Sequence, residues 1–267
     1  MNVLVVKVGG AFLDDTAIAS AFFEAIRASQ QQIVLVHGGG NAVERLFNDL
    51  KLPSEKIDGL RVTPKSQIQY VVGALAGTVN KQLCALAQQA KLNPVGLSLF
   101  DGNMTQATKV SPQLGNVGSV SCTDKRLLST LLSADYLPII SSIGADKDGE
   151  LLNVNADQAA VVIAKLLGSP LVLLSDVAGV LDDSKALIPQ LTHQHISDLI
   201  DAGTIKDGMS VKVIAALDAA NAIGQPVHIA SWRNSQLLGS LADKQRAFAG
   251  TTIMPDKPLS KEERKAL

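Results

Sequence analysis

The chain has 267 residues, of which 46% are hydrophobic, 18% charged and 3% aromatic, and its formal net charge is −1. A chain of this length can bury a substantial core, which must here be mainly aliphatic. The near-neutral charge argues against the large basic surface of a nucleic-acid-binding protein. No apolar run approaches the roughly 20 residues of a membrane-spanning helix, and the chain opens on a strand without a leader pattern, so we expect a cytoplasmic protein.

Short aliphatic runs alternate with helical patterns along most of the chain. Strands are predicted at 3–8, 33–36, 94–99, 137–143, 171–174 and 227–230, and helices at 14–30, 41–50, 64–90, 155–167 and 207–223. The third helix has Thr63 as its predicted N-cap and Pro64 at its first position. This alternation predicts an α/β fold with a mainly parallel sheet and right-handed crossovers.

Two stretches interrupt the alternation. Residues 102–122 are rich in Ser, Thr and Gly and predict a hairpin over one face, whereas residues 179–195 are irregular. We place the boundary between two halves, 1–168 and 169–267, at Gly168-Ser169-Pro170. The charged segment from about residue 254 is interpreted as a loose appendage.

The first candidate site is Lys7-Val8-Gly9-Gly10, at the end of the first strand. Ligands of open α/β sheets bind at the carboxyl ends of the strands. Two glycines let the backbone approach a ligand closely, and backbone N–H groups can hold phosphate oxygens. Lys7 adds a positive charge at the same edge. Alone, the motif is equally consistent with a tight turn beside a surface lysine.

His37-Gly38-Gly39-Gly40 forms a second such corner after the second strand. It is not a dinucleotide fingerprint, because Val43 stands where the last glycine should fall, and no Gly-Lys-Ser/Thr of a Walker A loop occurs. His37 could serve as a base, although a histidine at the end of a buried strand is more often structural. Two glycine corners at one edge predict a ligand with at least two anionic ends.

Further polar residues precede predicted helices. Arg61, in Gly-Leu-Arg-Val-Thr, could bind a carboxylate through both guanidinium nitrogens, or be a surface arginine. In Asn-Val-Asn-Ala-Asp, Asn155 could be an N-cap and Asp157 could complement the helix dipole, or the cluster could position a ligand. Lys212 places a second lysine near a later helix N-terminus.

Taken together, these motifs resemble the amino-acid kinase family and, within it, the acetylglutamate kinases. The resemblance spans about residues 1–253. It is carried, in chain order, by Lys-x-Gly-Gly, His-Gly-Gly-Gly, Gly-Leu-Arg-Val-Thr, Asn-Val-Asn-Ala-Asp, Leu-Ser-Asp-Val-x-Gly-Val and Gly-Met-x-x-Lys. It implies a three-layer αβα sandwich, the amino-acid kinase fold. It also implies that the first half binds N-acetyl-L-glutamate and mediates dimerisation, and that the second half binds ATP.

The resemblance assigns roles to individual residues. Those implied to be catalytic are Lys7, Lys212 and Asp157, with the aspartate orienting the two lysines. Those implied to bind the substrate are Gly39, Gly40, Arg61 and Asn153. Those implied to bind ATP are Gly9, Gly10, Asp176, Val177, Ala178, Gly179, Val180, Leu181, Thr204, Ile205 and Lys206. Mg²⁺ is expected to be held mainly by the nucleotide phosphates, with no metal site made by the protein.

The implied reaction is phosphorylation of a γ-carboxylate, a step of arginine biosynthesis. A carboxyl group with an ordinary pKa of about 4.3 is already ionised at pH 7, so no general base is needed. Two lysines, Mg²⁺ and glycine-loop amides would offset the repulsion between two anions. Carbamate kinase and glutamate 5-kinase are the alternatives within the family. A catalytically inactive ligand-binding module is an alternative outside it, and a nicotinamide oxidoreductase is disfavoured by the glycine spacing.

The resemblance also implies a homodimer formed through the first halves. The long helix at 64–90 is the expected interface, since small residues would allow close approach, although a helix buried within one subunit is the alternative reading. Arginine-inhibited members of the family carry an extra N-terminal helix. Because the first strand is predicted to begin at residue 2 or 3, we expect activity that is insensitive to arginine.

Overall fold

The computed structural model describes residues 3–9, 12, 14–29, 31–234 and 248–257. Its strands are β1 Val3–Val8, β2 Gln32–His37, β3 Lys56–Ile57, β4 Leu60–Arg61, β5 Pro94–Ser98, β6 Thr105–Lys109, β7 Val117–Cys122, β8 Leu137–Ser141, β9 Ile143–Ala145, β10 Leu151–Val154, β11 Leu171–Ser175, β12 Gln190–Leu191, β13 Val227–Ser231 and β14 Thr251–Ile253. Its helices are α1 Thr16–Ser29, α2 Gly40–Asp49, α3 Ile68–Val72, α4 Asn80–Gln89, α5 Arg126–Ser133, α6 Ala156–Leu167, α7 His193–Asp201 and α8 Asp207–Ile223, and a π-helical segment, Gly73–Val79, joins α3 to α4.

An eight-stranded sheet forms the centre of the protein, in the order β12-β14-β13-β11-β1-β2-β8-β5. All neighbouring strands in it are parallel except β13 and β14, which are antiparallel. The first strand, β1, pairs with β2 on one side and with β11 on the other. The sheet is therefore mainly parallel, as predicted, and it is continuous across the predicted boundary at residue 168.

The central strands are buried on both faces. Along β1, Val3 and Val5 belong to a core cluster that also contains apolar residues of α5, α6 and α8. The intervening Leu4, Val6 and Val8 belong to a second cluster, which contains residues of α1 and α4. Because successive strand residues point to opposite faces, helices cover both sides of the sheet. The predicted three-layer αβα architecture is confirmed.

A smaller sheet of four strands, in the order β6-β7-β10-β9, accompanies the central one. Strands β6 and β7 pair antiparallel, which confirms the hairpin predicted within residues 102–122. Strand β7 also pairs in parallel with β10, so that Asn153 lies opposite Val117. This pairing sets the position of β10, whose carboxyl end leads into α6.

The helix predicted from Pro64 begins later, and Thr63 does not cap it. Its first α-helical residue is Ile68, because Pro64 opens a turn whose carbonyl accepts from the N–H groups of Gln67 and Ile68. The Thr63 hydroxyl instead donates to the carbonyl of Arg61, and the Thr63 N–H donates to the carbonyl of Leu114. The predicted N-cap is thus part of the contact between β4 and the β6–β7 turn.

Other differences from the predicted elements are local. The strand predicted at 137–143 is two strands separated by Ser142, whose N–H donates to the carbonyl of His37. Helix α5 was not predicted, and α7 begins inside the stretch predicted to be irregular, capped by the side chain of Thr192. Helix α8 has the predicted bounds. In the part of the chain that the structure describes, no helix is long and apolar enough to cross a membrane.

Candidate active site

The predicted substrate residues lie around one cavity at the carboxyl edge of the central sheet. This glycine-loop cavity has a volume of about 260 Å³. Strand β1 ends beside it, β2 leads into it through the glycine loop, and α6 begins at its wall. Residues that line it include Lys7, Gly9, Gly39, Gly40, Arg61, Asn153 and Asp157. All four predicted substrate residues and two of the three predicted catalytic residues are thus brought together.

The glycine loop is tightly enclosed. A Cβ atom on Gly39 would lie 2.7 Å from Leu75 Cδ2 and 3.1 Å from Val79 Cγ2, both in the π-helical segment. A Cβ on Gly38 would lie 3.0 Å from the Cβ of Ala156, at the start of α6. Glycine is required here because the backbone passes between two packed helices.

Two helix N-termini border the cavity. Helix α2 begins at Gly40, and its N-cap residue, Gly39, has no side chain that could bond the first N–H groups, whereas α6 is capped by the side chain of Asn155. The Asn155 side chain accepts from the N–H groups of Asp157, at 2.9 Å, and Gln158, at 3.2 Å. The predicted N-cap role of Asn155 is confirmed. The N–H groups of the first turn of α2 suit an anionic ligand.

Arg61 is almost fully buried at the cavity wall, with 7% of its side chain exposed. Its Nη2 lies 2.9 Å from Glu44 Oε1 and 3.4 Å from the carbonyl oxygen of Gly40, and its Nη1 donates to the Ser54 hydroxyl. The guanidinium carbon lies 5.4 Å from the ring centroid of Phe47. The guanidinium predicted to bind a carboxylate is therefore already paired with one, which fixes its plane.

Glu44 and two other residues of this region were not predicted. The Arg61 hydrogen bond lowers the pKa of Glu44 to about 2, and Lys56 Nζ lies 3.3 Å from the same carboxylate. Lys56 and Ser142 also line the glycine-loop cavity. Glu44 stands four residues after Gly40 on α2, and this helical spacing is the one sequence signal that could have placed it near the site.

Asn153 contacts Thr63, which follows the strand that carries Arg61. Its Nδ2 donates to Thr63 Oγ1 at 3.2 Å, and Thr63 in turn bonds to the backbone of Arg61. Its own backbone N–H donates to the carbonyl of Asn116. The two predicted substrate residues are thus linked through a buried threonine.

Lys7 and Asp157 form an ion pair of 2.9 Å, in which 15% of the lysine and 58% of the aspartate side chain are exposed. The same two residues line a second, larger cavity of about 380 Å³, together with Ser175, Gly208 and Lys212. We call this the Lys212 cavity. Its walls include apolar residues of α8 and of β11. The Lys7–Asp157 pair therefore stands at the boundary between the two cavities.

Lys212 pairs with a different carboxylate. Its Nζ lies 3.7 Å from Asp176 Oδ1, and 34% of its side chain is exposed. The resemblance implied that Asp157 orients both lysines, but in the structure its ion pair is with Lys7. The two lysines nevertheless line one cavity.

The first of the two predicted ATP-binding segments begins at Asp176, the partner of Lys212. The segment from Asp176 to Leu181 follows β11, and its Val180 N–H donates to Thr251 Oγ1 at 2.8 Å. Gly179 has a φ of +145°, and a Cβ there would lie 2.6 Å from that hydroxyl. Among the residues that line the Lys212 cavity, none belongs to this segment or to 204–206.

The second segment, Thr204 to Lys206, approaches the first from the start of α8. The Thr204 hydroxyl donates at 3.1 Å to Oδ2 of Asp183, two residues beyond the first segment. Ile205 is buried in the core, and Lys206 stands at the N-cap position of α8. Of the predicted glycine pair, Gly9 lines the glycine-loop cavity rather than the Lys212 cavity, and Gly10 lies outside the described residues.

His37 is a buried structural residue, in agreement with the reading favoured by the sequence. Its Nδ1 lies 2.8 Å from the carbonyl oxygen of Gly38, and its Nε2 lies 3.0 Å from Asn80 Nδ2. Burial lowers its pKa to about 4. Because both ring nitrogens are engaged, His37 is not available as a general base.

Comparison with known proteins agrees with the geometry. The model of the amino acid kinase family matches residues 2–231. Acetylglutamate kinase from Serratia proteamaculans is 50% identical over 245 residues, covering 90% of this chain and 95% of that protein. Acetylglutamate kinase from Pectobacterium atrosepticum is 49% identical over 257 residues, covering 95% and 98%.

Proteins of known structure share this fold. The crystal structure of N-acetylglutamate synthase from Neisseria gonorrhoeae superimposes with a TM-score of 0.80 at 23% identity, covering 97% of this chain and 61% of that one. Carbamate kinase from Giardia lamblia gives 0.67 at 18% identity, covering 96% and 99%. The chain belongs to the amino acid kinase family, and within it to the acetylglutamate kinases.

Proposed function

We propose that the protein transfers the γ-phosphoryl group of ATP to the γ-carboxylate of N-acetyl-L-glutamate, giving N-acetyl-L-glutamyl 5-phosphate for arginine biosynthesis. The observation that carries the proposal is the position of the Lys7–Asp157 pair, which lines both cavities. A ligand in each cavity would meet the other at Lys7. That is the arrangement a direct phosphoryl transfer between two bound substrates needs.

In this proposal, each half of the chain binds one of the two substrates. The glycine-loop cavity is lined by residues between 7 and 157, so residues 1–168 would hold N-acetyl-L-glutamate. Gly39 and Gly40 would contribute backbone N–H groups, and Arg61 and Asn153 would fix the polar ends of the ligand. Residues 169–267 would hold ATP, through the segments 176–181 and 204–206 beside the Lys212 cavity. Gly9 and Gly10 would approach the phosphate from the β1 corner.

The proposed phosphoryl transfer takes place between two negatively charged groups. An oxygen of the ionised carboxylate attacks the γ-phosphorus, the bond to the β–γ bridging oxygen breaks, and ADP leaves with that electron pair. The two anionic reactants repel each other, and charge spreads over the phosphoryl oxygens in the transition state. Lys7 on one side and Lys212 on the other would offset this charge, with Asp157 holding Lys7 in place. No proton has to be removed from the acceptor, so the unavailability of His37 is no obstacle.

We also propose that Mg²⁺ enters with the nucleotide. Mg²⁺ prefers oxygen ligands and is usually bound by substrate phosphates with one or two carboxylates. Asp157 borders the Lys212 cavity and is largely exposed. It is the one carboxylate among the described residues that line this cavity, and it is already paired with Lys7, so the ion would be held mainly by the ATP phosphates and would neutralise part of their charge.

A hydroxamate assay tests the proposed function. Acyl phosphate trapped with hydroxylamine should accumulate with ATP, Mg²⁺ and N-acetyl-L-glutamate, and should not accumulate with glutamate, aspartate, or bicarbonate and ammonia. Turnover of free glutamate would identify a glutamate 5-kinase instead. A chelator should abolish turnover, and excess Mg²⁺ should restore it. Loss of turnover that Mg²⁺ does not restore would contradict the proposed metal dependence.

The assembly that we propose is a homodimer formed through the helix from α3 to α4. One side of this helix is buried within the chain by residues such as Leu75 and Leu83. On the other side Gly73 is exposed, and a Cβ added to it meets nothing within 4 Å. Gly73→Glu should therefore fold as a monomer but prevent close approach of a second helix. Light scattering should give a dimer for the wild type and a monomer for the variant, and a wild-type monomer would refute the proposal.

A further inference from the structure

The glycine loop contains a buried histidine that the reaction does not use. We propose that His37 is a positioning residue that turns the N–H of Gly39 into the glycine-loop cavity, where it donates to an anionic oxygen of the bound substrates. The inference rests on the proposed function for the identity of that anion. It rests on the contacts of His37 and Asn80 for the orientation of the peptide unit.

The first step is the orientation of the Asn80 amide. Asn80 is the first residue of α4 and is 1% exposed. Its Nδ2 lies 2.8 Å from the carbonyl oxygen of Ile139, in the central sheet. A carbonyl oxygen can only accept a hydrogen bond, so the atom facing it must be the amide nitrogen. Lys81 Nζ, at 3.2 Å, donates to the Oδ1 on the other side of the amide.

The second step is the tautomer of His37. Asn80 Nδ2 also lies 3.0 Å from His37 Nε2, closer than to its third neighbour, the carbonyl oxygen of Leu97 at 3.4 Å. An amide nitrogen can only donate, so this ring nitrogen must accept. The ring proton is therefore on Nδ1. An independent contact requires the same tautomer, because Nδ1 lies 2.8 Å from the carbonyl oxygen of Gly38, which can only accept. Burial keeps the imidazole neutral, so both contacts persist at neutral pH.

The third step is the direction of the N–H group of Gly39, which belongs to the same peptide unit as the Gly38 carbonyl. The peptide bonds of the described chain are trans, and in a trans peptide unit the C=O and N–H groups point in opposite directions. Because the Gly38 carbonyl is turned toward the buried ring of His37, the N–H of Gly39 is turned away from it. Both glycines line the glycine-loop cavity. No described residue accepts a hydrogen bond from this N–H.

These steps form a relay from the core to the site. The carbonyl of Ile139 sets Asn80, Asn80 sets the His37 tautomer, and His37 sets the peptide between Gly38 and Gly39. A backbone donor that is fixed before the reaction does not have to reorganise during it, and the loss of one such donor costs about 10²–10³ in kcat. Since His37 acts through the backbone, a smaller loss is expected from its substitution.

A matched pair of variants tests the relay. His37→Phe keeps an aromatic ring but removes the Nδ1 donor. His37→Asn places an amide nitrogen at the same number of bonds from the backbone as Nδ1. We expect His37→Phe to lower kcat about 10-fold or more, with little change in KM for ATP, and His37→Asn to recover most of that loss. Wild-type kcat in His37→Phe, or no recovery in His37→Asn, would overturn the proposal.

The control is a second histidine, which is half-buried. His228, in β13, also has its pKa lowered to about 4 by burial, and it bonds Thr252 Oγ1 rather than the glycine loop. His228→Phe repeats the replacement of a hydrogen-bonded imidazole by a phenyl ring and should leave kcat within about twofold of the wild type, whatever it does to thermal stability. If His228→Phe lowers kcat as much as His37→Phe does, the effect is one of general stability, and the proposal is refuted.

A measurement on the wild type is independent of turnover. Long-range ¹H–¹⁵N correlation spectra distinguish the two neutral tautomers of histidine. The relay requires a proton on Nδ1 of His37 in the substrate-free protein, and a proton on Nε2 would overturn it even if all variants were too unstable to assay. If the Nδ1 tautomer is found but N-acetyl-L-glutamate is not phosphorylated, the proposed function fails and the orientation of the peptide stands.

Discussion

The two cavities are built in different ways. Around the glycine-loop cavity the polar side chains are held by the protein itself: Arg61 is 7% exposed and is fixed by Glu44, Ser54 and the backbone of Gly40. In the Lys212 cavity, the side chain of Lys212 is 34% exposed, and that of its partner Asp176, 3.7 Å away, is 79% exposed. One site is preorganised before any ligand binds, whereas the other offers a charge without a fixed geometry.

This difference matches the two proposed ligands. A small acceptor with two carboxylates is selected by a few polar contacts, and these discriminate only when they are held in place. A nucleotide brings three phosphates and Mg²⁺, and these charges can order an exposed lysine when they arrive. We therefore expect substitutions around the glycine-loop cavity to alter acceptor binding. Substitutions in the Lys212 cavity should act mainly on the chemical step.

The largest effects should come from the two lysines. Lys7→Ala and Lys212→Ala should each lower kcat by about 10²-fold or more, because each removes a charge that the transition state needs. Steady-state kinetics with both substrates measure this, and circular dichroism checks the fold. Lys65→Ala, which removes an exposed lysine outside both cavities, is the control. A variant lacking both site lysines with near-normal turnover would refute the mechanism.

Arg61→Lys should have the next largest effect. Lysine cannot reproduce the planar contacts with Ser54 and Glu44, so we expect KM for N-acetyl-L-glutamate to rise about 10-fold, with KM for ATP nearly unchanged. Arg45→Lys is a matched control, because Arg45 is an exposed arginine of α2 that pairs with Asp14. Equal changes in both KM values would place Arg61 outside the acceptor site.

The two aspartates compare the two lysines with which they pair. Asp157→Asn removes the partner of a lysine that is 15% exposed, whereas Asp176→Asn breaks a long pair at the surface. Exposed ion pairs contribute little, so we expect kcat to fall about 10-fold for Asp157→Asn and less than threefold for Asp176→Asn. The reverse order would show that Lys212 depends on Asp176 and that the Lys212 cavity is also preorganised.

Local patterns in the sequence predicted much of the fold and the membership of the glycine-loop cavity. Helix α8 has its predicted bounds, and its αL residue Gly224 follows its last turn. The motifs after β1 and β2 converge because the carboxyl ends of parallel strands share one edge of the central sheet. Strand β10 belongs to the smaller sheet, so its motif reaches the same cavity through a tertiary contact. Lys7 and Gly39 could therefore be placed together without coordinates, whereas Asn153 was assigned to the same site by the family resemblance.

Long-range contacts were the part that local patterns could not predict. Thr63 had the sequence of an N-cap, but Leu114 and Asn116 bind its backbone from about 50 residues further along the chain, and α3 starts later as a result. The pairing of Arg61 with Glu44 likewise depends on how the β3–β4 hairpin lies against α2. Both departures lie beside the glycine-loop cavity, where tertiary contacts override local preference.

The smallest effect that we predict is a pH-dependent difference in stability at Glu44. Arg61 holds the folded-state pKa of this carboxyl at about 2, below its ordinary value of 4.5. The ionised form is thus favoured by folding, and its contribution to the free energy of unfolding is fully present above about pH 4.5 and is lost as the pH falls toward 2. Glu44→Gln should be less stable than the wild type at pH 7, and the difference should shrink below pH 4.5 in urea unfolding. Glu24→Gln, in an exposed pair with Arg27, should change stability little at any of these pH values. If the Glu44→Gln difference is the same at pH 7 and pH 3, the Glu44–Arg61 pair does not stabilise the wall of the glycine-loop cavity, and the contrast between the two cavities would rest on packing alone.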